Sequence, residues 1–300
     1  MIFEGNSKLN TLLNGLFETY LNAVPDVKKT TSILINNSVI KSQSEIVNDH
    51  IAFRTLGLPN LGIQSLEKIF LHFGYQKRDY YHFEEKKLNA NWYAPPSEEF
   101  PRVFISELRV HQLSQKSQDI ILKYTQDIFT DPLNKIDLEN TNEVINFFTQ
   151  PLWKLPNWED YESLRKESEY AAWVIYNRYY LNHYTISVHE LKHPYNQLEI
   201  FNSLLKSNGI VFNNAGGEIK TSGDGLLKQS STVAQTINAK FSSGNILPIS
   251  GSYVEFAERL PLPEFNSNKK LNRNQRREGF ETSNADKIFE STFTSQTKRK

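Results

Sequence analysis

Two short runs with the same alternation of polar and apolar positions organise this chain. In Asn48-Asp49-His50-Ile51-Ala52-Phe53-Arg54, strand geometry puts His50, Ala52 and Arg54 on one face and Ile51, Phe53 and Thr55 on the other, because strand side chains switch sides with period two. Leu181-Asn182-His183-Tyr184-Thr185-Ile186-Ser187-Val188 repeats the pattern, with His183, Thr185 and Ser187 opposite Tyr184, Ile186 and Val188. Each run predicts a strand with one polar, histidine-bearing face and one apolar face fit for packing. Two histidines opening equivalent strands point to two imidazoles meeting at one place, which is the pattern of a metal site.

The segments C-terminal to each run also repeat. After the first, residues 63–73 form an amphipathic pattern closed by Gly74, a helix stop signal, and strands are predicted over 80–83, 87–93 and 103–110. After the second, a helix is predicted over 195–207 with Gly209 behind it, then strands near 217–220, 226–237 and 252–260. The pitch is nearly conserved: 24 residues separate His50 from Gly74, and 26 separate His183 from Gly209. A β-α-β-β-β unit cannot cover both faces of its own sheet, so two of them imply modules closing around a shared cavity.

The remaining periodicity is helical. Leu9, Leu12, Leu13, Leu16, Phe17 and Tyr20 fall at helix spacing over about 7–24, followed after Pro25 by a polar connection. Helices are predicted over 118–129, 142–148 and 160–180, and a helix-like stretch returns over 284–290. The expected fold class is α+β: two β-α-β-β-β modules forming a barrel, with a helical insertion capping it and helices at both termini. The expected divisions are an N-terminal helix and linker (1–46), a first module (47–112), the insertion (113–180), a second module (181–262) and a C-terminal tail with a lid helix (263–300).

Composition narrows the chemistry. The formal net charge is zero over 300 residues, which argues against a nucleic-acid-binding surface. No stretch is long and apolar enough to suggest a membrane span, and no basic-then-apolar leader opens the chain, so a cytoplasmic address is the default expectation. Cysteine is absent. Thiolate ligands, disulfides and cysteine nucleophiles are excluded together, so a metal here would be held by histidine and carboxylate, a donor set that suits Fe, Mn, Zn or Ni.

A carboxylate to join the histidines is offered by Tyr253-Val254-Glu255-Phe256-Ala257-Glu258-Arg259, where Glu255 sits between apolar neighbours and would be costly to bury unless paired or bound to a metal. Glu258 faces the other way and reads as solvated. Two histidines and one carboxylate leave adjacent positions open on an octahedral ion, the arrangement of non-haem Fe(II) oxygenases; three satisfied polar core residues are the competing reading. Arg54 follows His50 on the same face at roughly 13 Å of strand rise. Its partner is a ligand carboxylate or an internal acid, with Glu107 the nearest candidate in sequence pattern. His72, His82, His111, His189 and His193 read as structural or surface residues. Gly216-Gly217 and Gly223-Asp224-Gly225 read as hairpin tips, and no phosphate-binding loop or serine-hydrolase elbow is present.

The segments Asn48–Thr55, Pro101–Leu108, Asn182–Thr185, Lys228–Thr232, Gly279-Phe280 and Asn284–Ser291 together resemble the 2-oxoadipate dioxygenase/decarboxylase family over nearly the whole chain. The resemblance implies a vicinal-oxygen-chelate-like fold, an Fe(II) cofactor, and conversion of 2-oxoadipate and O2 to 2-hydroxyglutarate and CO2 in lysine breakdown. It implies His50, His183 and Glu255 as metal ligands and Arg54 as a substrate-binding and catalytic residue, and it brings Gln229 and Ser231 forward as further substrate contacts. The C-terminal pattern is also similar to 4-hydroxyphenylpyruvate dioxygenase, whose last helix gates its site. Two alternatives stand beside this expectation: a glyoxalase-type metal-dependent isomerase or lyase, and a non-catalytic protein that binds a small acid.

Overall fold

The computed structural model describes residues 3–266 and 271–300. Helix α1 (Lys8–Ala23) starts at Ser7, whose hydroxyl accepts from the Asn10 amide, and buries the stripe Leu9, Leu12, Leu13, Leu16, Phe17 and Tyr20. Helix α2 (Pro25–Asn36) occupies the segment expected to be a polar connection. Pro25 does not break a helix there but opens one, because a first-turn residue needs no amide hydrogen. Val27, Ile33 and Leu34 then anchor α2 in the core.

The first module runs β1 (Asn48–Leu56), α3 (Ile63–His72), β2 (Gln76–Phe83), β3 (Leu88–Ala94) and β4 (Arg102–Leu108). The insertion carries α4 (Gln115–Thr125), α5 (Thr141–Thr149), α6 (Trp158–Glu167) and α7 (Glu169–Asn177). The single helix expected over 160–180 is thus two, because Ser168 leaves helical geometry and caps the second through the Ala171 amide. The second module runs β5 (His183–Ser187), α8 (Leu198–Ser207), β6 (Lys220–Thr221), β7 (Leu227–Ser231), β8 (Thr236–Lys240), β9 (Ile246–Ser250) and β10 (Tyr253–Arg259), and α9 (Thr282–Phe289) and α10 (Thr294–Thr297) close the chain.

Eight strands form one curled sheet in the order β2-β3-β4-β1-β5-β10-β7-β6. Outward from the seam, and with the separate β8–β9 hairpin set aside, each half has the same order: first strand, then fourth, third and second. The seam β1–β5 is antiparallel, while β1–β4 and β5–β10 are parallel. The halves match in their helix anchors as well. Glu107 on β4 accepts from the Ile63 amide at the start of α3 (2.9 Å), and Glu258 on β10 accepts from the Leu198 amide at the start of α8 (2.8 Å), each carboxylate facing the positive end of a helix. Glu258 is therefore buried and structural rather than solvated.

The one long strand expected over 226–237 is divided. After Thr232, whose amide still donates to Val254, the backbone leaves its neighbour β10: Val233 donates to Val211 and Ala234 to Ser291. The chain then forms the β8–β9 hairpin as a separate two-stranded sheet. Alternating polarity alone does not reveal where a ladder changes partner.

Candidate metal centre

The centre begins with an irregularity in β1. His50 lies opposite Thr185 and Asn48 opposite Ile186, so β1 holds one residue more than β5 between these pairs, and Asp49 is the bulged residue. A bulge re-aims a side chain that a regular strand would send to the far face. The Asp49 carboxylate thereby reaches the adjacent ring, with Oδ1 2.8 Å from His50 Nδ1. Immediately before β5, Asn182 does the same for the second imidazole, its Oδ1 3.0 Å from His183 Nδ1. Both rings are held at Nδ1 and present Nε2 outward, the orientation that outer partners impose on metal-binding histidines.

Register brings the carboxylate to them. Across the sheet, His50, Thr185, Glu255 and Ser231 share one row, and Ala52, His183 and Tyr253 share the next. Glu255 Oε2 lies 3.0 Å from His183 Nε2, and Glu255 Oε1 lies 3.5 Å from His50 Nε2. One ligand atom from each of His50, His183 and Glu255 falls within 4.8 Å of the others, and all three residues are buried. The corresponding position of β4 carries Phe104, so among the described residues the acid comes from the second module alone and the sheet builds one centre.

Electrostatics fits cation binding. Burial raises the pKa of Glu255, but the two histidines outweigh it and keep the carboxylate ionised well below its usual range. Burial lowers both imidazoles; Glu255 and Asp49 reverse this for His50, whose pKa is raised, whereas His183 stays lowered and neutral. Asp49 is fixed as an anion against its own burial by Arg259, which grips it through two bonds of 2.7 and 2.9 Å, and by Arg102 at 3.3 Å. Two nitrogens and a carboxylate, with no sulfur, suit Fe(II), Mn, Zn or Ni.

Gln229 and Ser231 face the centre, but their partners are protein groups. Gln229 donates to Glu255 Oε1 (2.7 Å) and accepts from Asn284 of α9 (3.1 Å), so it positions the carboxylate. Ser231 shares a hydrogen bond with Ser291 at 2.8 Å. Arg54 is fully buried, donates to Thr292 Oγ1 (2.9 Å) and the Phe289 carbonyl (3.1 Å), and lies over the rings of Tyr170, Trp173 and Phe289. Its Nε has no partner, and among the described residues no carboxylate lies within ion-pair distance of it. The salt bridge with Glu107 does not form, because Glu107 points at α3 on the other face of the sheet. Phe280 covers the centre, its ring 4.8 Å from that of His50.

Sequence reasoning passed over Asp49 and Asn182, and noted Tyr253 and Arg259 without a role. Asp49 and Asn182 each precede a histidine, a shared signal that was legible. The bond between Arg259 and Asp49 spans 210 positions and was not. Asp49→Asn is expected to lower metal affinity about 10- to 100-fold, the usual cost of losing an outer partner of a ligand. It should also lower stability by about 3–5 kcal/mol, since Arg259 stays buried without its anion. Chelator-competition titration and a denaturant melt measure the two effects; unchanged affinity would mean that Asp49 serves the arginines alone.

Residues 12–269 match the family model described as 2-oxoadipate dioxygenase/decarboxylase. The chain is 42% identical to the chloroplastic 2-oxoadipate dioxygenase/decarboxylase of Arabidopsis thaliana, with 98% of this chain and 80% of that protein covered. It is 39% identical to the chloroplastic/amyloplastic protein of the same name from Oryza sativa subsp. japonica, with 98% and 81% covered. Among solved structures it is similar to the hydroxyglutarate synthase from Oryza sativa in complex with 2-oxoadipate (TM-score 0.87, 40% identity, 96% of this chain and 93% of that one). A glyoxalase superfamily protein from Ralstonia eutropha JMP134, 21% identical with a TM-score of 0.72 over 90% and 84% of the two chains, shares the fold. The expected cytoplasmic address is corrected by these findings: both plant relatives are named as plastid proteins.

Proposed function

This chain belongs to the 2-oxoadipate dioxygenase/decarboxylase family, and on that footing we propose that it holds Fe(II) between His50, His183 and Glu255 and converts 2-oxoadipate and O2 to 2-hydroxyglutarate and CO2, as a step of lysine breakdown. The observation that carries the reading is the pairing of two features on one polar face. A buried two-histidine, one-carboxylate set stands on one side. Two strand repeats away stands a buried guanidinium without an acidic partner among the described residues.

When bound, Fe(II) would supply Lewis acidity toward a 2-oxo acid and the redox capacity that the reaction with O2 needs. The protein's groups do the rest. Asp49 and Asn182 fix the imidazoles, and Gln229 fixes Glu255. Arg54 neutralises a carboxylate of the acid. Phe280 and α9 exclude water: His50, His183 and Glu255 are 2%, 5% and 1% exposed. Oxygen-electrode measurements on Fe(II)-loaded protein across a panel of 2-oxo acids test the reading. Uptake with 2-oxoadipate, matched by CO2 release, supports it. Metal retention without oxygen uptake would instead favour isomerase or lyase chemistry on the same fold.

The segment from Gly279 onward acts as a lid in this proposal. Gly279 adopts a left-handed backbone (φ 70°), the conformation glycine tolerates best, immediately before the covering Phe280. Removing the whole segment would also strip Phe289 and Thr292 from Arg54 and Asn284 from Gln229, so a point change isolates gating better. Phe280→Ala is expected to lower the yield of CO2 per O2 consumed, per bound iron, with metal content near normal. An unchanged yield would make Phe280 a packing residue only.

A further inference from the structure

We propose that the Tyr253 phenol donates a hydrogen bond to the bound acid and fixes its orientation between the three ligands and Arg54; this rests on the functional reading above. Tyr253 precedes Glu255 by two residues on β10 and therefore shares its face. Register places Tyr253 opposite His183, which is itself opposite Ala52. That row lies between the row of His50 and Glu255 and the position of Arg54, two residues beyond Ala52. An acid reaching from the ligands toward Arg54 passes over the smallest side chain on this face of β1 and beside the Tyr253 ring.

The ring is held in place and its hydroxyl is not. It stacks on His183 with centroids 4.7 Å apart and planes 28° from parallel. The hydroxyl is buried and has no hydrogen-bond partner among the described residues, although Arg54 and Ser291 lie beside it. Buried hydroxyls are ordinarily paired, and a phenylalanine would fill the same space without the penalty of an unmet donor. Arg54 Nε, on the neighbouring row, is a further unmet donor on this face. A phenol carries an O–H donor, suited to a carboxylate or keto oxygen.

The test is Tyr253→Phe, which keeps the ring and its stacking on His183. In full-length, Fe(II)-loaded protein without oxygen, calorimetry with 2-oxoadipate should show a Kd raised about 10- to 100-fold, the worth of a hydrogen bond to a charged acceptor. In air, KM should rise by a similar factor and the CO2 yield per O2 should fall, with iron content unchanged and kcat less affected than KM. An unchanged Kd and yield would overturn the proposal. So would a variant altered only in iron content or melting temperature, which would reduce Tyr253 to a support for the His183 ring. The outcomes also separate the two readings. Wild-type protein that binds 2-oxoadipate but takes up no oxygen refutes the dioxygenase reading while the Kd ratio still scores Tyr253. Wild-type turnover matched by Tyr253→Phe refutes Tyr253 alone.

Discussion

Replacing any one of His50, His183 and Glu255 by Ala is expected to abolish turnover, by at least about a thousandfold, and to empty the centre of metal. Groups that act as one unit lose nearly everything with the first member removed. Two remaining ligands cannot hold the ion in a defined geometry, and Glu255 is the hub that both imidazoles face. The fold should survive, because each residue sits on a strand whose backbone ladder is independent of the side chain. Glu255→Ala is the most disruptive of the three, since it also frees the Gln229 amide. Metal content per chain, oxygen uptake and circular dichroism make the measurement. A variant that keeps both iron and activity would remove that residue from the ligand set. Glu258 is not a substitute, because it is committed to the Leu198 amide at the head of α8.

Arg54→Ala is expected to lower kcat/KM for 2-oxoadipate by roughly 30- to several-thousand-fold, because a buried carboxylate left unpaired costs about 2–5 kcal/mol and each 1.36 kcal/mol is a factor of ten. Iron content should not change. Burial lowers the guanidinium's pKa, and the nearby phenols of Tyr253 and Tyr170 offset this in part, while its hydrogen bonds go to neutral oxygens. A buried charge without a counter-ion destabilises its own fold. Arg54→Met should therefore hold or raise the melting temperature while activity collapses, a separation that a structural arginine would not show. If the distal carboxylate is the partner, the loss shrinks for 2-oxohexanoate, which has the same chain length without that charge. Equal losses on both acids place Arg54 at the chelating end, and no loss on either removes it from the substrate.

The elements that matter most for the site were legible because their signals are local. Period-two alternation marked β1 and β5 with their histidines inward, and helical spacing marked α1 and α3 within a residue or two. Where local signals mislead, the cause is a partner elsewhere. Pro25 reads as a break until its place in a first turn is seen, residues 226–237 read as one strand until Val233 pairs away from β10, and Glu258 reads as solvated until α8 lands on it.

By itself the sequence determined a repeated β-α-β-β-β plan, a chemistry confined to histidine and carboxylate by the absence of cysteine, and His50, His183, Glu255 and Arg54 as the residues to watch. Only the tertiary structure decided what those residues meet. The seam pairing of β1 with β5 and the parallel seat of β10 beside β5 put Glu255 against two imidazoles that lie far from it, and from each other, along the chain. The bulge at Asp49 turned a far-face residue into the orienter of His50, and Arg54 was left buried among oxygens and rings with no acid beside it among the described residues. Alternation along a strand is set by the backbone of that strand alone. Register between strands, and the partner each buried polar group finds, are set by the packing of the whole sheet at once.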